Sequence, residues 1–316
     1  MRRALIGISL AVVVSAAGLM LCLAQETAPA GGLSIHWHKT GKGPLGIAYD
    51  GANIWTANFL GNTVTKLRAS DGMKLGTFAV GVSPAGVTFD GTNIWVSNSS
   101  DGTVTKLRAS DGKKLGTFTV GPAPGFMAFD GANIWVPTSQ TSGAGAVLKL
   151  RASDGKILGS YTDVGAYPNA VGFDGHNVWV TNGGAASVTK LRASDGKFLG
   201  TFTVQGAPIG ITCDGKDMFV ANSGGNSVSK LRVSDGKNLG TFSVTAGVYG
   251  VAFDGKHLWT AGDQGATELE AGDGQILAFY PTPTTNTSGV LFDGRNVWIT
   301  GWNNNRAGEL VRNDTQ

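Results

Sequence analysis

Apolar residues in this chain come in runs of four to six, and each run is closed by Gly, Pro, Asp, Asn or Ser. Within residues 81–120 the runs 86–89, 93–96, 103–108 and 115–120 read as four strands, because β-branched and aromatic side chains fill them. Asp90-Gly91 with Asn93, and Ser110-Asp111-Gly112, read as tight turns, since Gly, Asn and Asp tolerate the positive φ that such turns need. The pattern predicts a four-stranded antiparallel meander.

The meander recurs. An Asp-Gly pair follows Tyr49, Phe89, Phe129, Phe173, Cys213, Phe253 and Phe292, at spacings of 40, 40, 44, 40, 40 and 39 residues. A period near 40 built of short strands is that of a propeller blade. One blade cannot bury both faces and must stack on its neighbours. The aromatic in the second strand (Trp55, Trp95, Trp135, Trp179, Phe219, Trp259, Trp298) is expected to fill the wedge between sheets. KLRASDG occurs four times, starting at Lys66, Lys106, Lys149 and Lys190, and KLRVSDG once, at Lys230. It reads as the end of the third strand and its turn. The seventh unit stops after three strands. The segment 33–40 is therefore expected to supply its fourth, closing an all-β, seven-bladed ring.

Residues 1–24 have a different pattern. Arg2-Arg3 precedes an almost wholly apolar stretch that ends in Leu23-Ala24-Gln25, the pattern of a signal peptide cut after Ala24. An uncleaved anchor is the rival reading. Residues 25–32 read as a linker and 33–316 as one propeller domain. The expected location is outside the cytoplasm, periplasmic or secreted, with membrane contact only if the leader stays. Dropping Arg2 and Arg3 leaves 23 basic against 22 acidic residues, so nucleic acid is not an expected partner. Cys213 is the sole cysteine after the leader, which excludes an intramolecular disulfide. Glycine, 49 of 316 residues, is more than double the usual ~7%.

Units of the form GxxPxGxxFDGxNIWVxN…TVTKLRxSDGKxLGTFxVG resemble the YVTN/NHL-type β-propeller repeats of exported bacterial proteins, over residues 33–316. More distantly, the chain is similar to streptogramin B lyase-like and gluconolactonase-like propellers. Those relatives imply a divalent metal over the channel, yet neither family's ligands match this sequence residue by residue. The resemblance specifies fold far more than function.

The seven blades form an internal alignment, in which repeated positions read as scaffold and departures as candidates. Loops after the second and fourth strands share one face around the channel mouth. The departures there are Phe59, Phe126, Tyr167, Asn169, Tyr249, Asp263, Trp302 and Asn303, a mixture of aromatics and amides suited to a carbohydrate, peptide or small molecule. Phe126 stands where five blades carry Gly and one carries Ala170. It either plugs or lines the channel. Lys42 and Asp163 lie on the same side. Glu268 and Glu270 replace the Lys and Arg of KLR in blade 6 and are expected to pair with Lys230 and Arg232. His36 and His38, two apart on the closing strand, have a spacing that permits a metal. His176 and His257 fall at the opposite face. No Ser-nucleophile motif, P-loop or zinc spacing is present, and no catalytic or metal residue is assigned. No cofactor is indicated, with a divalent cation left open. Three functions remain open: a monomeric, non-catalytic binding or interaction scaffold, favoured here; a metal-dependent lyase or lactonase; and a structural envelope protein.

Overall fold

The computed structural model describes residues 32–312 apart from 141, 143, 144, 245, 246 and 284. The expected leader 1–24 and nearly all of the linker lie outside the described residues. Seven four-stranded antiparallel sheets form the ring. Blade 1 shows the plan: Pro44–Tyr49 innermost, then Asn53–Asn58, Thr63–Arg68 and Lys74–Ala79 at the outside. The seventh sheet takes its fourth strand from the start of the domain. Leu33–Lys39 pairs antiparallel with Arg306–Arg312, Leu33 opposite Arg312 and Lys39 opposite Arg306, as the short final unit required.

Each letter of KLRASDG has a task in this ring. The lysine extends beneath its own blade's aromatic: Nζ of Lys66, Lys106, Lys149, Lys190 and Lys230 lies 4.7–5.4 Å from the ring centres of Trp55, Trp95, Trp135, Trp179 and Phe219. Its tip then donates to a carbonyl of the next blade's string, at Ala109, Ala152, Ala193, Val233 and Ala271, 2.6–3.0 Å away. These lysines are therefore inter-blade ties. Four of them are 6–7% exposed and so do not present their charge at the surface. The leucine is fully buried. The arginine pairs with the aspartate three residues on, at 2.6–3.2 Å on the surface. The glycine has φ of 67–76° and carries the preceding blade's outer aromatic packed where a β-carbon would stand.

The Phe-Asp-Gly turns are equally specific. In six blades the aspartate accepts the indole N–H five residues on, at 2.7–2.8 Å, and also caps the two backbone N–H groups after its glycine. An outer-strand aromatic lies over that indole, for example Trp95–Phe118 at 5.5 Å. In the seventh blade His38 of the closing strand takes this place against Trp298, at 5.3 Å.

Inner strands approach one another through glycine. A β-carbon at Gly46, Gly86, Gly210, Gly250 or Gly289 would meet the backbone of the neighbouring inner strand. Blade 3 departs from this. Gly125 takes the close position, against the Asn169 carbonyl, and only Ala128–Phe129 remains a paired inner strand. Pro137 in the adjacent strand has no N–H to give, and Gly125 N–H turns to its carbonyl at 2.9 Å. Phe126 is thereby displaced from the glycine row. It forms a parallel bridge with Ala170, its N–H reaching Asn169 O at 2.9 Å.

Candidate functional site

The seven inner strands surround a channel that opens as a cavity of about 600 Å³. Its wall includes one apolar residue from each blade: Ile47, Val87, Met127, Val171, Ile211, Val251 and Val290. Chemistry enters at the mouth, from residues that break the repeat. Phe126, Asn169, Tyr249, Asp263 and Trp302, all singled out from sequence, line this one cavity.

The polar part is small and connected. Asp263 follows the second strand of blade 6, His257–Gly262, and Tyr249 lies in the inner strand of the same blade, Val248–Phe253. The Tyr249 hydroxyl donates to Asp263 Oδ2 at 3.1 Å. Asn286, just before the inner strand of blade 7, donates from Nδ2 to Asp263 Oδ1 at 3.1 Å. Gly247 makes room for this group, since a β-carbon there would collide with the Asp263 carboxylate. Burial, the hydrogen bond to Asp263 and that carboxylate's charge hold the Tyr249 hydroxyl above its ordinary pKa range, so it stays a donor. Asn169 donates to Pro208 O at 3.0 Å, fixing its amide between blades 4 and 5.

The other candidates lie around this cavity or away from it. Phe59 is not on the wall but backs Trp302, with ring centres 5.6 Å apart. Asn303 is exposed and uses its backbone N–H on Thr285 Oγ1 at 3.1 Å. Tyr167 is also exposed, off the wall, at a positive-φ turn position. Lys42 and Asp163 are exposed and do not line the cavity. Asn286 was not singled out from sequence. The signal was available, because the corresponding turn position holds Gly43, Ser83, Ala123, Tyr167, Ala207 and Gly247 in the other blades.

The expected pairing of Glu268 and Glu270 with Lys230 and Arg232 does not form. Glu268 faces His257 Nδ1 at 3.0 Å and accepts the Tyr280 hydroxyl at 3.2 Å, while Glu270 lies 3.8 Å from His257 Nε2. Lys230 goes instead to the Ala271 carbonyl and to Asp217 at 3.4 Å, and Arg232 to Asp235. The KLR lysine aims at the next blade's turn, not at its strand, which the linear sequence does not reveal. His38 bonds Glu309 Oε2 at 3.2 Å, and His36 bonds Ser34 Oγ at 3.0 Å. Among the described residues no three His, Cys, Asp or Glu side chains gather as a metal site.

No family model matches the chain, and no curated protein matches it. The YVTN/NHL assignment thus has no family-model support, while the propeller has ample structural support. A catalytically inactive virginiamycin B lyase from Staphylococcus aureus with quinupristin is similar at TM-score 0.75 and 18% identity, covering 88% of this chain and 99% of that one. A streptogramin B lyase gives 0.75 and 18%, over 89% and 98%. Kuenenia stuttgartiensis hydrazine synthase gives 0.73 and 20%, over 89% and 98%. Likeness at this identity shows the fold, and one fold carries unrelated activities.

Proposed function

We propose that this chain is a binding protein whose ligand, a small and partly apolar molecule, sits in the channel mouth. Convergence carries the reading. Phe126, Tyr249, Asp263, Asn286 and Trp302 each depart from the repeat, come from blades 3, 6 and 7, and line one cavity. The cavity's size, its apolar wall and its few convergent polar groups suit a small-molecule site. The leader pattern supports a place outside the cytoplasm. No reaction is assigned to the site.

A thermal-shift screen of small amphiphilic compounds and divalent metal salts tests this. Ligands that bind only the folded chain raise its midpoint by mass action, about 2.7 kcal/mol at a hundredfold excess over Kd. The expected result is saturable shifts that disappear in Phe126→Ala and Trp302→Ala. Shifts with metal salts alone would overturn the reading in favour of a metal site, and no shift at all would leave a purely structural ring.

A further inference from the structure

We infer that the ligand carries a positively charged nitrogen, an ammonium or amidinium, seated against Asp263. This rests on the channel-mouth reading and narrows it. Among the described residues no lysine, arginine or histidine lines the cavity, and Asp263 is the one carboxylate on its wall. Both Asp263 oxygens are held by neutral donors, the Tyr249 hydroxyl and the Asn286 amide. Such donors orient a carboxylate without cancelling its charge. Among the described residues Asp263 makes no ion pair. Each oxygen keeps lone-pair capacity for one more donor.

The repeat itself has no need of this charge. The corresponding position holds Phe59, Ser99, Ser139, Gly183, Ser223 and Trp302 in the other blades. Asp263 is half-buried, and a carboxylate partly withdrawn from water gains from a compensating charge. The rings of Tyr249, Trp302 and Phe126 line the same cavity, and aromatic faces attract a cation within about 6 Å. An anionic ligand would meet Asp263 with no basic side chain to offset it. A calcium ion wants six to eight oxygens, usually with several carboxylates, and this wall has one. A carboxylate among aromatic faces matches an amine with an apolar body.

The test titrates the full chain with 2-phenylethylammonium, 2-phenylethanol and phenylacetate, which share one ring and differ in charge, and follows tryptophan fluorescence. The ammonium is expected to bind about tenfold tighter than the alcohol, and phenylacetate more weakly than either. Asp263→Asn should erase the ammonium's advantage, bringing the ratio of the two affinities to about one. Tyr249→Phe, which removes a donor but keeps the carboxylate, should retain the preference. Equal binding of ammonium and alcohol, or a preference that survives Asp263→Asn, overturns the charge inference and leaves the cavity reading standing. A role for Asp263 as a loop tie alone would lower the melting point of Asp263→Asn without moving this ratio, and that too overturns it. Calcium displacing the ammonium from the parent but not from Asp263→Asn would overturn it in favour of a metal site. Failure of all three probes to bind saturably overturns both readings.

Discussion

Lys106 Nζ lies 2.6 Å from the carbonyl oxygen of Ala152, a residue of the next blade. The repeated string is thus half of an inter-blade joint, and the other half is the following copy of itself. The acceptor is a backbone carbonyl, so the joint depends on the lysine and on the turn's backbone, not on the acceptor's side chain. Two carbonyls and the face of Trp95 surround the buried Lys106 tip.

Lys106→Met keeps the aliphatic stem over Trp95 and removes the donor. It is expected to cost about 1–3 kcal/mol, since two carbonyls lose a charged partner in a buried place. Arg108→Ala, which removes a surface pair with Asp111, is expected to cost about 0–1 kcal/mol. Urea unfolding of both variants checks the ordering, and equal losses would contradict the joint.

Acid should open the blades through their turns. Burial favours the protonated form of Asp130 and Asp174, but the indole N–H, the neighbouring Asn amide and two backbone N–H donors outweigh it, leaving both carboxyls below the usual range. At Asp254 backbone and indole donors similarly outweigh burial. A depressed folded pKa contributes stability above the unfolded value, near 4, and that contribution is lost as pH falls through the folded value. The melting midpoint is therefore expected to be insensitive to these groups from about pH 7 to 5 and to drop below about pH 4. Asp130→Asn should be less stable at pH 7 and show a shallower acid limb.

The closing strand carries its own test. Deleting residues 33–40 removes the partner of Arg306–Arg312 and should abolish cooperative melting by circular dichroism.

The last joint is also an exception to the repeat. Glu309 replaces the lysine and His38 replaces the outer aromatic. Glu309 is 6% exposed, so His38→Phe alone should destabilise by about 1–3 kcal/mol through a lost carboxylate partner. Adding Glu309→Lys places an ammonium opposite the Ala69 and Ser70 carbonyls, as in the regular joints, and should recover most of that loss. Melting points of the single and double variants check this coupling.

The period, the blade count and the closing strand were all legible in the sequence, because turn chemistry and the strand aromatics repeat at fixed spacing. The partner of Lys66 was not, because it depends on how one blade sits against the next, whereas Glu268 and Arg232 turn to His257, Tyr280 and Asp235 of their own blades. Phe126 was legible as a departure. Its displacement was not, since that follows from Pro137 in another strand. Phe59 and Trp302 looked alike in sequence, yet one ring lines the cavity and the other backs it. Asn286 was missed because amides are common in turns, although no other blade has one at its position; its hydrogen bond to Asp263 is what gives it a role.

A crystal of the chain soaked with the best compound from the thermal-shift screen tests the central claim most directly. The account predicts density inside the channel mouth, in contact with Phe126, Tyr249 and Trp302 and with a polar group facing Asp263. Density between the outer strands, or on the face bearing the Ser-Asp-Gly turns, with an empty mouth, would contradict it.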